Sequence, residues 1–289
     1  MCVVGSANLD IVATTDRLPG PGETVLGHTY AEHAGGKGLN QVVAAARAGA
    51  STQFCAAVGD DDAARQLLDV MRADGVDASA VQRLSGVPTG RALIGVSADA
   101  ENSIIVVAGA NALLTAEHVA GAAGRARVVL AQLEVPLSTV YAALQAGRDA
   151  GAITILNPAP ATDLSAELLS LCDVVIPNEH EVELLGGVDE LFRLGAAAVV
   201  VTLGARGAKL CTSDGTVTHI DAFPVDAVDT TAAGDAFCGG FAASLASGAT
   251  MVESLRFAAA TAAIATTRPG AVPSLPSLAE IEALLHSPA

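Results

Sequence analysis

Short apolar runs alternate along this chain with longer stretches whose apolar residues recur every three or four positions. These are the signatures of buried strands and of the helices that cover them. Cys2–Gly5 reads as a buried strand ending in the polar Ser6-Ala7-Asn8-Leu9-Asp10. Extended segments follow at Ile11–Thr15 and Thr24–His33, with Pro19-Gly20-Pro21-Gly22 as the turn and no helix between them. The spacing then predicts a helix over Asn40–Ala48 closed by Gly49, a strand at Phe54–Val58 and a helix over Asp62–Ala73. From Thr89 to Ala108 the chain returns to strands: Ala92, Ile94 and Val96 alternate, and Asp99–Asn102 makes the hairpin turn.

Beyond that point strands and helices alternate. Strands are expected at Val128–Leu133, Ile153–Leu156, Val174–Ile176 and Val199–Leu203, with helices Leu137–Ala150, Ser165–Leu171 and Glu179–Leu185 between them. Lys209–Thr212 and Val217–Ile220 form a late strand pair, and helices Met251–Thr266 and Leu278–His286 close the pattern. Such alternation gives an α/β fold with a mostly parallel central sheet and helices on both faces. The two strand-only stretches, 11–33 and 89–108, do not fit that layer and are read as a small projecting β-sheet, a lid, whose halves pair. No linker, repeat or low-complexity tract divides residues 1–289, which predicts a single domain.

Composition narrows the function classes. Of 289 residues 51% are hydrophobic and only 3% aromatic, so the core is built from Ala, Val, Leu and Ile. The formal net charge of −16 repels nucleic acid and anionic membrane, so neither is expected as a partner. It also repels a nucleotide, unless helix termini and a metal ion reverse the field locally. Cys2, Cys55, Cys172, Cys211 and Cys238 form no CxxC pair and sit in apolar contexts, as small core residues do. With no metal-ligand spacing, no signal-peptide pattern after Met1 and no apolar run of bilayer length, a reduced, cytoplasmic protein is expected. The six histidines show no metal spacing and read as surface or capping residues.

Chemistry concentrates at Asp229-Thr230-Thr231-Ala232-Ala233-Gly234-Asp235, which opens a helix whose Phe237, Phe241 and Leu245 recur every four positions. Thr230 or Thr231 can cap its start. Gly234 costs about 1 kcal/mol relative to alanine in the first turn. The small side chains of Ala232, Ala233 and Gly234 give an anion access to free N–H groups at the positive end of the helix. Asp235 is then a carboxylate beside an anion hole. A first-turn acid that merely complements the dipole is the bland account, but no Glu or Gln stands three residues after either threonine to make a capping box.

Gly35-Gly36-Lys37-Gly38 is neither a Walker A loop nor part of a GxGxxG, and alone it is a tight turn at a helix start. The polar Lys37, Asn40 and Gln41 crowded into that first turn are left unexplained. Asn8 and Asp10 are either a strand-end turn or an amide and a carboxylate that grip vicinal hydroxyls. Gln132-Leu133-Glu134, Asn157-Pro158-Ala159-Pro160 and Asn178-Glu179-His180-Glu181 each end a strand in polar residues, where open α/β sheets place ligands. Thr202-Leu203-Gly204-Ala205-Arg206-Gly207 is a turn whose glycines also let a flat ring approach the backbone.

Taken together, Gly35–Gln41 and Asp229–Asp235 resemble the two signatures of the PfkB-type sugar kinases. Gly5–Asp10, Pro21–Thr24, Gly109–Asn111, Gln132–Glu134, Asn157–Pro160 and Thr202–Gly207 follow that family in order and spacing over essentially the whole chain. The resemblance implies ATP-dependent phosphorylation of a sugar, D-ribose at O5, with the β lid covering the sugar and pairing two subunits as a homodimer. It places Asn8, Asp10, Gly36, Lys37, Gly38, Asn40 and Glu134 around the sugar, and makes Asp235 the base for the 5-hydroxyl beside the Ala232–Gly234 anion hole. Asn178, Gly234 and Thr202, Leu203, Gly204, Ala205, Arg206 and Gly207 line the nucleotide. Glu181, in the family's Asn-x-x-Glu, organises Mg²⁺ indirectly. Asp229, Thr231, Ala265, Arg268, Gly270 and Ser274 match its K⁺ loop. Another sugar or nucleoside kinase of the family, acting on deoxyribose, a nucleoside or a ketose, is the nearest alternative. A sugar-binding regulator without turnover is the rival from another class, and the missing GxGxxG disfavours a dinucleotide-dependent oxidoreductase. Two departures stand out: Gly187–Gly195 is shorter than its family counterpart, trimming one outer helix, and Ala259 replaces a His or Asn common near the nucleotide.

Overall fold

A computed structural model describes residues 1–99 and 101–287. Its larger sheet contains β1 (Cys2–Val4), β4 (Gln53–Gly59), β5 (Val81–Leu84), β8 (Val128–Ala131), β9 (Ile153–Leu156), β10 (Val174–Val175), β11 (Ala198–Thr202), β12 (Ala208–Thr212) and β13 (Val217–Ile220). The spatial order is β13-β12-β11-β10-β9-β8-β1-β4-β5. Pairing is parallel from β5 to β11, while β12 and β13 continue the edge antiparallel. The late strand pair expected from sequence is therefore part of the main sheet.

Both faces of this sheet are covered, which is why its central strands read as continuous apolar runs. Helices α1 (Lys37–Arg47), α2 (Asp62–Ala73), α8 (Ala233–Ser247) and α9 (Met251–Ala265) pack on one face around Val3, Phe54, Leu130, Ile155 and Phe241. On the other face α3 (Ala116–Ala123), α4 (Leu137–Asp149), α5 (Ala166–Leu169) and α7 (Val188–Arg193) surround Val4, Val129, Leu144, Leu156 and Leu169. Helix α6 (Glu179–Leu184) follows β10, and α10 (Leu278–His286) closes over α9. The trimmed segment Gly187–Gly195 still forms the six-residue α7.

The small sheet runs β3-β2-β6-β7, from β2 (Asn8–Thr15), β3 (Gly27–Gly35), β6 (Gly90–Val96) and β7 (Asn102–Val107). The two strand-only stretches pair directly, Asn8 standing opposite Gly90 in parallel register and opposite Gly35 in antiparallel register. The lid strands start earlier and end later than the expected 11–33, because β2 begins at Asn8 and β3 continues to Gly35. Asn8 and Asp10 thus belong to the first lid strand and not to a turn ending β1. The hairpin turn expected at Asp99–Asn102 includes residue 100, which lies outside the described residues. Helix α3 and strand β5 have no counterpart among the expectations: β5 (VQRL) is a half-exposed edge without alternation, and α3 is short, contains Gly121 and makes no cap bond through its N-cap Thr115.

Candidate active site

The site begins where α1 approaches the end of β1. Gly36, the N-cap of α1, has φ 89° and ψ 135°, a conformation that suits glycine. Gly38 lies against the Gly5–Ser6 backbone so closely that a Cβ there would stand 2.6 Å from Ser6 N. The Leu39 N–H donates to the Ser6 carbonyl at 2.9 Å. This tight crossing carries Lys37, Asn40 and Gln41 into the space above the C-terminal ends of the strands.

Helix α8 supplies the other wall, and its start differs from expectation. Neither Thr230 nor Thr231 caps it: the N-cap is Ala232 in the left-handed region (φ 58°), with no side-chain cap bond. The Thr231 hydroxyl turns away and donates to Asp229 Oδ1 at 2.6 Å. The Ala233 N–H donates to the Thr230 carbonyl at 3.2 Å, whereas those of Ala232, Gly234 and Asp235 meet no acceptor among the described residues. A capping hydroxyl would have occupied these donors; without one they remain available to an anion. Left-handed backbone at a non-glycine residue costs on the order of 1–2 kcal/mol, a strain typical of functional sites.

Asp235 is buried, 7% exposed, and both carboxylate oxygens are held by α1. Asn40 Nδ2 donates to Oδ2 at 2.9 Å and Gln41 Nε2 to Oδ1 at 2.8 Å. A cavity of about 220 Å³ opens beside it, bounded by Lys37, Asn157, Ala159, Ile176, Asn178, Glu181, Thr202, Ala232, Gly234, Asp235 and Cys238. Burial pulls the Lys37 ammonium down, but the carboxylates of Asp235, Glu134 and Glu181 outweigh it and hold the group above its ordinary range. Lys37 is therefore a fixed positive charge between three acids. Burial pushes the Cys238 thiol well up, so it serves as inert lining. A larger groove of about 670 Å³ lies at the opposite end of the sheet, beside Arg148, Asp173, Thr212 and Met251. Its charged groups are an ion pair, Arg148 with Asp173 at 3.8 Å.

On the lid side Asn8 and Asp10 stand two apart on β2 and so share a face. Asn111 fixes Asn8, donating to its Oδ1 at 2.8 Å while accepting from Ala7 N at 3.0 Å. Glu134 is fixed in turn by Ser6 Oγ at 2.5 Å and by the Lys37 N–H at 3.1 Å. Burial, and then the nearby charges of Glu134 and Asp235, raise the Asp10 carboxyl to about 7. Asp10, Glu134 and Asp235 are thus close enough for their charges to act on Asp10, a concentration of acceptors that suits a ligand rich in hydroxyl donors.

On the opposite side Asn178 is the N-cap of α6. Its Oδ1 accepts from Glu181 N at 2.8 Å, and Glu181 Oε2 returns the bond from Asn178 N at 2.9 Å, a full capping box. Of the turn 202–207 only Thr202 borders the cavity; Leu203 and Gly207 are half-buried, and Gly204, Ala205 and Arg206 are exposed, Arg206 pairing with Glu179. The Asp229 set forms a separate cluster behind α8. Asp229 accepts from Thr231 N at 2.9 Å and from Gly270 N at 2.8 Å, bonds that hold its carboxyl below the usual range against the effect of burial. Ser274 is buried and donates to the Ala271 carbonyl, Ala265 is buried, and the Arg268 side chain points to Glu280. Ala259 packs in the core.

Sequence reasoning left several site residues without a role. Gln132 Nε2 donates to Gln41 Oε1 at 2.6 Å, and Gln41 Nε2 donates also to Asn157 Oδ1 at 3.0 Å. Ser6 and Asn111 orient Glu134 and Asn8. Each lies in a recognisable motif, but nothing in spacing says that these motifs meet.

The comparisons with known proteins agree with this geometry. Residues 1–278 match the model of the pfkB family of carbohydrate kinases. The ribokinase of Haemophilus influenzae is 40% identical over 303 aligned positions, covering 99% of each chain. Among solved structures, ribokinase from Thermotoga maritima superposes with a TM-score of 0.92 at 36% identity, covering 99% of each chain. Arabidopsis thaliana ribokinase complexed with ribose and ATP gives 0.91 at 33%, covering 99% of this chain and 98% of that one. With both signature motifs facing one cavity and the match running almost from end to end, the chain belongs to the pfkB family of carbohydrate kinases and is a phosphotransferase of that family.

Proposed function

We propose that this kinase transfers the γ-phosphoryl group of ATP to O5 of D-ribose. The observation that carries the proposal is Asp235: a buried carboxylate, each oxygen held by an amide donor, at the lip of an uncapped helix N-terminus. Phosphoryl transfer needs in-line positioning and charge stabilisation more than covalent chemistry. Asn8, Asp10, Asn40 and Glu134, with the backbone at Gly36–Gly38, hold the sugar hydroxyls under the lid. Asp235 accepts the proton of the attacking hydroxyl. The free N–H groups of Ala232, Gly234 and Asp235 and the Lys37 ammonium receive the charge of the moving phosphoryl group. Lid closure excludes water that would otherwise take the phosphate. The names of the relatives above support ribose as acceptor and ATP as donor.

The residues fit a metal that arrives with the nucleotide. Among the described residues no group of three or more His, Cys, Asp or Glu could hold an ion. Mg²⁺ keeps most of its water and is bound through phosphates and one or two carboxylates, and Glu181, whose Oε1 has no partner among the described residues, is a carboxylate at the cavity beside Asp235. When bound, Mg²⁺ neutralises phosphate charge. The Asp229 cluster fits K⁺. Asp229 ties the 229–231 turn to the 270 loop, so the carbonyls of Thr231, Ala265, Arg268 and Gly270 and the Ser274 side chain can surround a large, weakly hydrated cation. Asn178, Gly234 and the turn 202–207 would lie along the nucleotide. We further infer one kinase domain over 1–289, a homodimer formed through the lid, and a cytoplasmic setting. No helix among the described residues is long and apolar enough to cross a membrane.

ADP release measured across pentoses, hexoses and nucleosides tests the proposal, with the highest kcat/KM expected for ribose. A preference for deoxyribose, a nucleoside or a ketose would move the substrate within the family. Sugar binding without ADP release would make the chain a regulator.

A further inference from the structure

From the polarity of one buried hydrogen-bond chain we infer that Gln41, locked by Gln132 and Asn157, is a positioning residue for the catalytic base Asp235. Gln41 and Gln132 are fully buried, and Asn157 is 8% exposed. The direction of every amide follows from a single backbone group. The Ile176 carbonyl can only accept, so Asn157 must turn its Nδ2 towards it, at 2.8 Å. That leaves Asn157 Oδ1 facing Gln41, which must then present its own Nε2, at 3.0 Å. The same Nε2 donates to Asp235 Oδ1 at 2.8 Å, and Gln41 Oε1 is filled by Gln132 Nε2 at 2.6 Å. With both N–H groups and its oxygen engaged, the Gln41 side chain has one orientation, in which it offers Asp235 a donor. The flipped amide would put oxygen against carboxylate and face Gln132 with nitrogen against nitrogen, breaking three bonds.

Gln41 is sealed away from the cavity and acts on the reaction through Asp235 alone. It fixes Oδ1 from the side away from the substrate, while Asn40 fixes Oδ2. A base that must lie within about 3 Å of a hydroxyl loses rate steeply when its carboxylate can rotate. Gln132 directly follows β8 and Asn157 directly follows β9, so the base is tied through one side chain to the ends of the central strands of the sheet.

The inference rests on Asp235 being the base, and the experiment separates the two. Kinetics of ribose phosphorylation are measured for Gln41→Met, Gln132→Met, the double variant and Asp235→Ala, with ribose and nucleotide dissociation constants and melting temperatures for each. Gln41→Met is expected to lower kcat about 10–100-fold, with both KM values within about threefold of the parent. Gln132→Met is expected to lower kcat about 3–10-fold in the parent and to add nothing in the Gln41→Met background, since it acts through Gln41. A structural role alone would lower the melting temperature and leave kcat of the folded enzyme unchanged. Parental kcat in Gln132→Met, or losses that multiply in the double variant, overturns the inference. If Gln41→Met does not fold, the kcat of Gln132→Met decides by itself. Near-parental turnover of Asp235→Ala sinks the base assignment. An inactive Asp235→Ala beside a fully active Gln41→Met sinks only the role of Gln41.

Discussion

Two aspartates in this site receive opposite treatment from their surroundings. Asp235 is met by amide donors on both oxygens, whereas Asp10 is half-buried near Glu134 and Asp235 with no donor among the described residues, and its carboxyl is raised to about 7. The raised value has a definite sign. The folded chain keeps a proton that the unfolded chain releases at its ordinary 3.8, so stability is highest below about pH 4 for this group and falls as pH rises towards 7. Asp10→Asn removes that penalty, and its melting temperature at pH 8 should exceed the parent's by the equivalent of roughly 2–4 kcal/mol. A scan from pH 5 to 8.5 checks this; equal curves for the two proteins would show that Asp10 is not strained. The same substitution should raise KM for ribose, losing on the order of 1.5–3 kcal/mol, because the charge-assisted acceptor is gone. In the parent, KM for ribose should rise as pH falls below about 7. On the proposed function, stability is given up here for sugar recognition.

At the scale of elements, the site depends on how closely helices pack. Gly239 of α8 lies against α1, and a Cβ there would stand 2.5 Å from Gln41 O and 2.6 Å from Ala44 Cβ. Gly239→Val must push α1 away, with an expected cost of about 1–3 kcal/mol. It should also lower kcat, because the Asn40 and Gln41 contacts to Asp235 cross that contact; a variant that loses stability but keeps its rate would uncouple the two. The start of α8 is governed from behind by Asp229, which binds Thr231 and Gly270. K⁺ in that cluster should raise kcat or lower a substrate KM, with Na⁺ less effective, and Asp229→Ala should abolish the response and lower the melting temperature. Equal rates in potassium-free buffer, with ionic strength matched by a bulky organic cation, would remove the ion from the account.

For the whole molecule, the open question is what covers the lid. Its edge strand β7 exposes Ile104, Ile105, Val106 and Val107, and Leu93 beside it is 42% exposed. The two faces alternate, so Ile94, Ile104 and Val106 continue the Asp10 face while Leu93, Ile105 and Val107 form the other. Ala92, grouped with Ile94 and Val96 in the sequence, is already buried beside Asp10. A four-stranded sheet with apolar groups on both faces and a bare edge is a poor monomer surface. Sedimentation should give a dimer at micromolar concentration, and Ile105→Lys with Val107→Lys should give a monomer. A monomeric parent would contradict this reading.

The hydrophobic pattern by itself determined most of the elements, though not α3 or β5, because a strand covered on both faces must be apolar throughout and a helix on a sheet must repeat every three to four residues. Helices α2 and α10 begin and end where that pattern places them. The motifs also named the acids, glycines and small residues of the site. What the pattern did not carry was any relation between distant segments. The sequence marks Thr230 and Thr231 as capping residues, yet Asp229 and the 270 loop draw Thr231 away and leave the helix start open. It leaves Asn8 and Asp10 between a strand-end turn and a hydroxyl-gripping pair outside the lid segments, yet pairing with Gly35 and Gly90 makes them a lid strand. Gln41, Gln132 and Asn157 lie on three segments up to 116 positions apart, and only the fold brings their amides into one chain. Periodicity records burial, which each residue feels locally. Hydrogen-bond polarity is set between segments, and it exists only once the sheet has brought them together.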